Sequence, residues 1–390
     1  MNPSDPYGFA EHLSPAARDA LAHLQTVLDR DIRPLLADAW ETATMPDAVL
    51  GSLVPLNLMD PDEVAVEEAG SSLFAGFRNF VLAKTDASVA TLYNAQSGLF
   101  RTTITQGGSL EQATALDPLI RSFELKGAFA LTEPEHGSDI AGGLETTASR
   151  EGDEWVLDGR KRWIGGAATA DVLAVFARST DDGQVRAFLV DRTAAGVTLE
   201  TIRGKVALRP MQNSVITLDG VHVAEASRLQ RIDSWRDVAR LLRAMRSDVA
   251  WIATGIQAGA LEAASAYVRQ RRQFGRPIGG FQLIQEKLAR MLGNVTASLA
   301  MVVQLSRRED AGIFADDESA LAKMWTSLRA RETVALAREV VGGNGILLEH
   351  DVARFFADAE AVYSYEGTHE INALIVGRSL TGVSAFVSSL

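Results

Sequence analysis

Ala130-Leu131-Thr132-Glu133-Pro134-Glu135-His136-Gly137-Ser138-Asp139 is the stretch at which helical periodicity gives way to strands. Taken alone it is a turn rich in hydrogen-bonding residues. Upstream the chain reads as helical. Ser14-Pro15 pairs an N-cap with proline at the first helical position. Leu21, Leu24, Leu28 and Ile32 then recur at three- and four-residue steps, which predicts one buried face. Similar patterns fill 63–84 and 88–105, and another short helix begins at 109–111.

Downstream the period shortens. Trp155-Val156-Leu157 leads into Asp158-Gly159, a dipeptide suited to a tight hairpin. Apolar runs at 172–177 and 187–190 flank the turn Asp181-Asp182-Gly183. Val215, Thr217, Val221 and Val223 surround a second Asp-Gly, Asp219-Gly220. These signals predict a compact antiparallel sheet or barrel from about residue 127 to about residue 230.

From Trp235 long helices return. One stripe runs through Val238, Leu241, Leu242, Met245, Val249, Ile252 and Ile256, and a second through Leu283, Ile284, Leu288, Met291, Leu292 and Val295. A third, Leu321, Met324, Trp325, Leu328 and Val334, ends at Gly342-Gly343, which suits a helix C-terminus. Residues 355–365 precede a last helix through Ile371, Leu374 and Ile375. The expected fold is α+β: a helical domain over 1–126, a middle β-barrel over 127–232, and a four-helix bundle over 233–390. No internal repeat supports a solenoid.

Composition bounds the function. The 390 residues are 47% hydrophobic, enough for a large core and two or three domains. No cysteine is present, which excludes disulfides, thiol catalysis and thiolate metal sites. His12, His23, His136, His222, His350 and His369 never fall at HxxxH or HExxH spacing, so no metal is expected. A net charge of −12 argues against nucleic acid and anionic membrane surfaces as partners. No run reaches the roughly 20 apolar residues of a membrane span.

The first nine residues lack the layout of a signal peptide, and Ser388-Ser389-Leu390 lacks the basic residue of a peroxisomal address. A cytoplasmic protein is expected. Asn294-Val295-Thr296 matches a glycosylation sequon by chance, inside a helical pattern. An anionic ligand would need a local basic patch, for which Arg269, Arg271, Arg272 and Arg276 are the candidate; the plainer reading is a solvated helix end.

No GxxxxGK[ST] occurs, and Gly343-Asn344-Gly345 follows a helix rather than a strand, so neither a P-loop nor a Rossmann site is supported. The opening stretch resembles the first signature of the acyl-CoA dehydrogenase family: Leu-Thr-Glu-Pro, two variable residues, then Gly-Ser-Asp. Lys161-Arg162-Trp163-Ile164 resembles the family's lysine-x-Trp-Ile segment. Arg271, Phe274-Gly275, Pro277 and Gln282 resemble its R-x-x-FG-x-P helix–loop. Gly342-Gly343-Asn344-Gly345 and Tyr365-Glu366-Gly367-Thr368 resemble its last two motifs. The order of helical, β and helical parts follows the family over nearly the whole chain.

The resemblance implies FAD as cofactor and an acyl-CoA as substrate. Phe129, Leu131, Thr132, Ser138, Trp163, Ile164 and Gly165 would line the flavin, with Ser138 also near substrate. Arg271, Phe274, Phe281, Gln282, Glu339, Gly342 and Gly343 would reach the pyrophosphate and adenosine of an FAD held mainly by a neighbouring subunit. Thr368 and Glu370 would also touch the cofactor, and Arg246, Tyr365 and Gly367 the substrate. A site shared between subunits implies a homotetramer, a dimer of dimers.

By the same resemblance Glu366 is the base that takes the thioester α-proton while hydride passes from the β-carbon to the flavin. The thioester oxygen would be held by a ribityl hydroxyl and the Glu366 N–H, an oxyanion-hole arrangement. By itself, a glutamate beside Tyr365 and Gly367 is an exposed turn residue. Some relatives place the base on an earlier helix just before an arginine; here the arginine is Arg246 and the preceding residue is Met245, which cannot act as a base. A helix-surface ion pair is the plainer reading of Arg246.

Three positions depart from the family pattern: His136 before Gly-Ser-Asp, Gly165 after Trp-Ile, and Ala224 after the last strand. The C-terminal third looks closest to glutaryl-CoA dehydrogenases and plant short-chain acyl-CoA oxidases. Ala90 stands where glutaryl enzymes carry a carboxylate-binding arginine, so a short or medium non-dicarboxylic chain is expected; Arg78 or Arg101 would hold a carboxylate if the register differs. Electron-transfer flavoprotein is the expected electron acceptor, with O2, as in an acyl-CoA oxidase, the alternative. A flavin-free scaffold without catalysis is the reading from another class.

Overall fold

Ser14 caps the first long helix, Pro15–Val27, its side chain accepting from the Ala17 N–H. The helix continues as a π-helical turn, Leu28–Ile32, and Leu21, Leu24, Leu28 and Ile32 are all buried. The computed structural model describes residues 4–386; the tripeptide Ser388-Ser389-Leu390 lies outside them. Two compact units form, one from residues 4–91, 206–210 and 246–386, the other from 92–205 and 211–245.

Within the second unit, strands β1 (Gly127–Ala130), β2 (Thr147–Glu151), β3 (Glu154–Gly165), β4 (Val172–Ser179), β5 (Val185–Asp191), β6 (Val197–Thr201) and β7 (Asn213–Ala224) make one sheet. The order is β1-β4-β2-β3-β7-β6, with β5 on β4. The sheet is mixed, not wholly antiparallel: β4 runs parallel to both β1 and β2 and antiparallel to β5. Among the described residues no ladder joins β6 back to β1 or β5, so the sheet curls without the closure of a barrel.

The two Asp-Gly pairs do not make hairpins. The β2–β3 turn falls at Gly152, and Asp158-Gly159 lies within β3, opposite Asp219-Gly220 within β7. The register shifts between Leu157 and Gly159, and the Asp158 carboxylate accepts from the Gly220 N–H at 2.8 Å. Glycine is required at 159 because φ is +149° and a Cβ would stand 2.7 Å from the Thr146 Cα. Asp181-Asp182-Gly183 does turn the chain between β4 and β5.

Residues 92–126 group with this sheet for a visible reason. Gln96, buried in a π-helical turn, donates to the carbonyls of Ile120 and Leu125 and accepts from the Gly127 N–H. Gly127 lets β1 press on the Phe100 ring, which a Cβ would meet at 2.2 Å. Ser109 opens the helix Leu110–Arg121 with a reciprocal capping box to Gln112.

The other unit holds most of the long helix Trp235–Gln270, with Gln282–Asp310, Asp316–Val341 and the shorter Val352–Ser364 and His369–Thr381. The bundle thus has three long helices, and two 13-residue helices stand in place of a fourth. Fully buried Gln257 ties the long ones together, donating to Ser298 Oγ at 3.1 Å and to the Thr326 carbonyl at 3.0 Å. Trp251 lies on Gly76, where a Cβ would clash with the indole, and donates to Ser306.

The third stripe holds only in part: Val334 is buried and Met324 and Leu328 are half-buried, but its two other members are exposed. Leu321 and Trp325 are 40% and 36% exposed, while Ala322, Lys323, Thr326, Ser327, Ala330 and Thr333 are buried. Small side chains let neighbouring helices approach closely, so here the packed face is the small one. Leu283, in the second stripe, is also exposed. Gln282–Asp310 is, contrary to expectation, long and apolar enough by length and composition to cross a membrane; its Met291, Val295, Leu299 and Val302 are buried in the unit.

Candidate active site

The break between the two short helices is Tyr365-Glu366-Gly367-Thr368. Tyr365 ends the first helix with extended backbone, and Glu366 and Gly367 follow at φ +53° and +84°. The left-handed conformation is free for glycine but costs a glutamate roughly 1–2 kcal/mol, so neighbours must hold it. Lys323 donates to the Gly367 carbonyl at 2.7 Å and to the Tyr363 carbonyl at 2.8 Å. Buried Asn372 donates to the carbonyls of Gly367 and Thr368. Thr368 caps the helix His369–Thr381, its hydroxyl accepting from the Ile371 N–H, and exposed Glu370 lies in that helix's first turn. Among the described residues no hydrogen bond takes the Glu366 N–H.

Burial raises the proton affinity of the Glu366 carboxyl, and the charges of Arg246 and Lys323 draw it back down. Lys323 is itself brought down to about 8, chiefly by burial, with Glu366 opposing. Two further carboxyls, half-buried Asp248 and buried Glu309, extend the cluster. Asp248, on the helix of Arg246, is pushed up to about 6 by burial, held back by Arg78, and pushed further by Glu366. Its Oδ1 accepts from Asn79 at 2.9 Å. Glu309 is pushed up to about 8, first by burial and then by Asp248. The Tyr365 hydroxyl, raised by burial, lies 3.4 Å from Thr91 Oγ1, and Ala90 next to Thr91 is fully buried.

The same unit carries the exposed set. Arg271, Phe274 and Gln282 lie on or beside a small hairpin, Arg272–Gln273 with Arg276–Pro277. Phe274 is left-handed and 93% exposed, its ring edge-on to Phe281 at 5.9 Å. Gly342, at φ +69°, ends the helix Asp316–Val341 as expected; a Cβ there or at Gly343 would meet open space. Glu339 is paired with Lys287.

In the other unit, Leu131 to Ser138 leave the end of β1 beside the Lys161–Ile164 segment of β3. Lys161, fully buried, donates to the Leu131 carbonyl and pairs with Glu133 at 2.8 Å; Glu133 also accepts from the N–H groups of Glu145 and Thr146. Burial brings Lys161 down to about 8, against the pull of Glu133, which is itself held low by Lys161. The Arg162 N–H donates to the Thr132 carbonyl at 2.8 Å, locking the two segments in register.

Trp163 then turns left-handed at φ +65°, half of its surface exposed, with its carbonyl bonded by Asn213. Among the described residues no partner takes the hydroxyls of Thr132 or Ser138. Ile164 is buried, Phe129 packs on Phe176, and a Cβ at Gly165 would meet the mobile end of Met211. His136 pairs with Asp139 at 2.8 Å and lies on Gly143, where a Cβ would strike its ring. The Arg162 guanidinium lies over the Trp163 ring, 5.0 Å from its centroid. This half-exposed indole, with the hydroxyls of Thr132 and Ser138, suits a flat, hydrogen-bonding ring system such as a flavin.

Family models of the acyl-CoA dehydrogenase middle domain and C-terminal domain match residues 128–221 and 235–381. This chain belongs to the acyl-CoA dehydrogenase family. It is an FAD-dependent oxidoreductase. A 3-(aryl)acrylate reductase of Clostridium sporogenes is 31% identical, with 90% of this chain and 95% of that protein covered. A probable acyl-CoA dehydrogenase of Bacillus subtilis is 32% identical, over 90% and 94%. The crystal structure of a Mycobacterium smegmatis glutaryl-CoA dehydrogenase in complex with FADH2 superposes with a TM-score of 0.91 at 29% identity, over 99% of this chain and 100% of that one.

For this family member, Glu366, Arg246, Tyr365 and Gly367 lie in one cluster. Lys323, Asn372, Asp248, Asn79 and Glu309 complete it and were missed by sequence reading. The signal for Lys323 was a lone lysine among Ala, Ser and Thr at helical spacing. Met245 is buried in the second unit's core with Leu241 and Val238. Arg101 is paired with Asp117 at 2.6 Å, and the charge of Arg78 faces Asp248.

Proposed function

We propose that this protein removes the α- and β-hydrogens of a saturated acyl-CoA with a short or medium, non-dicarboxylic chain, Glu366 being the base. The observation that carries the reading is the Glu366 corner: a carboxyl made more basic by burial, on a backbone held by Lys323 and Asn372. Such a carboxylate is suited to accept an α-proton near neutral pH. Its unclaimed N–H can bind the thioester oxygen as negative charge gathers there.

Arg246 and Lys323 keep enough of the Glu366 carboxyl ionised to act. Thr132, Ser138 and Trp163 are the residues suited to hold the isoalloxazine, and Arg271, Phe274, Phe281 and Gln282 are suited to a cofactor shared across a homotetramer. Bound FAD supplies acceptance of the hydride that leaves the β-carbon. Ala90 offers no charge to a distal carboxylate, and the charges of Arg78 and Arg101 already face Asp248 and Asp117. A dicarboxylic tail would therefore be buried without a partner.

Electron-transfer flavoprotein is the acceptor in this reading. The test is anaerobic flavin bleaching over straight-chain, branched and dicarboxylic acyl-CoAs, then turnover in air. Rapid bleaching by short or medium monocarboxylic chains, without stoichiometric peroxide in air, is expected. Preference for glutaryl-CoA, or peroxide equal to enoyl-CoA, contradicts the substrate or acceptor assignment respectively.

The similarity to a 3-(aryl)acrylate reductase favours a second reading, reduction of a conjugated double bond, in which Glu366 returns the proton it would otherwise take. Faster oxidation of reduced enzyme by an enoyl-CoA than reduction of oxidised enzyme by its saturated partner would favour it.

A further inference from the structure

The residues suited to the pyrophosphate and adenosine of FAD come from two distant parts of the chain: the hairpin and helix start from Arg271 to Gln282, and the turn that follows Glu339. Both parts are short and largely exposed. The hairpin strands have two residues each, and a two-stranded hairpin is marginal in water by itself. The turn is one short 3-10 segment, Gly342–Ile346, with Gly343 exposed. Unless something outside them fixes one against the other, the cost of ordering both falls on cofactor binding.

Tyr267 joins them. It lies in the last turn of the helix Trp235–Gln270, and its carbonyl accepts the Arg271 N–H at 2.8 Å, the bond that closes the helix where the hairpin begins. Its hydroxyl accepts from Asn344 Nδ2 at 3.0 Å, inside the glycine turn. The His350 ring meets the phenol edge-on at 5.5 Å. The segment after Gly343 thus grips Tyr267 at its hydroxyl and at its ring. The hairpin is tied to the same helix end. The Ile278 N–H donates to the Arg271 carbonyl at 2.9 Å, and Gly279 packs on Val268, where a Cβ would stand 3.3 Å from the side chain.

We propose that Tyr267 is a positioning residue for the cofactor: it fixes Arg271 and the Gly342–Gly343 backbone relative to one another, so that both meet a single FAD. The inference rests on the reading of those residues as the cofactor surface shared across the homotetramer. Tyr267 acts through its bonds to Arg271 and Asn344. Glycine backbone can approach phosphate closely, but only a turn already held in place does so without an ordering cost.

The test is the FAD dissociation constant, read from free FAD in ultrafiltrates of serially diluted holoenzyme, with light scattering at the same concentrations. Tyr267→Phe keeps the ring on His350 and removes only the hydroxyl, and it should weaken FAD binding about threefold to tenfold. Asn344→Ala should weaken it to a similar extent, and reads the effect if the first variant folds poorly. The double variant should be no weaker than the weaker single one, since both changes delete the same bond. The mass should stay that of the wild type. A merely structural role lowers the melting temperature of both variants and leaves FAD affinity in place, which overturns the proposal. So do losses that multiply in the double variant, or a loss of affinity that only follows a loss of mass. Arg271→Ala separates the inference from the reading beneath it. If Arg271→Ala weakens FAD binding and Tyr267→Phe does not, only the role of Tyr267 falls. If Arg271→Ala holds FAD as the wild type does, the assignment of this surface to the cofactor falls and this inference with it.

Discussion

At the scale of the residue, position in the fold decides what each charge does. Glu366 is one of many glutamates, but it stands at a left-handed corner where burial raises its carboxyl and two cations limit the rise. Its ionised form is the working one, so turnover should rise with pH through a limb above the ordinary carboxylate range. A flat profile from pH 5 upward would speak against that. Lys161 and Glu133 form a pair with almost no exposed surface. Lys161→Met leaves Glu133 buried against backbone N–H groups alone, and should cost about 3–5 kcal/mol, read as a lower denaturant midpoint with weaker flavin retention. Glu366 and Lys161 were legible in the sequence through their motifs. Lys323 and Asp248 were not, because a charge drawn out of water is unfavourable by itself and is justified only by partners distant in the chain.

At the scale of the element, local signals were read well where a short-range contact satisfies them and poorly where tertiary contacts override them. Ser14, Ser109 and Gly342 cap helices as their residue types predict. Asp158-Gly159 and Asp219-Gly220 carry hairpin chemistry yet face one another inside a long two-stranded ladder, because the positive φ serves a bulge there. Gly159→Ala should destabilise the sheet by about 1–3 kcal/mol, measured by thermal or denaturant unfolding; an unchanged midpoint would mean that the bulge relaxes freely. In Asp316–Val341 Leu321 and Trp325 misled, since they stay on the surface while Ala, Ser and Thr, with Val334, fill the packed face.

At the scale of the whole molecule, the helix–sheet–helix order was legible because each period is sustained over many residues. The mixed pairing of β4 was not, since its apolar run Val172–Ala177 marks a strand buried on both faces without saying which neighbours it pairs with or in which direction. The proposed homotetramer gives a use to the exposed Phe274 and Leu283. Light scattering should report four chains, and Phe274→Ser with Leu283→Ser should lower both mass and flavin content.

Stability carries a pH signature as well. Glu309 has a folded value of about 8 against an ordinary 4.5. Its neutral form is therefore favoured by folding, and the stability it contributes is complete below about 4.5 and lost as pH rises through about 8. Melting temperature should fall across that window, and Glu309→Gln should flatten the fall.

The most direct test of the central claim is anaerobic mixing of Glu366→Gln with the acyl-CoA that bleaches the wild type fastest. The account predicts a yellow, folded protein that binds the thioester and leaves its flavin oxidised, with reduction slowed by at least about a thousandfold. Bleaching at a rate near that of the wild type would contradict it.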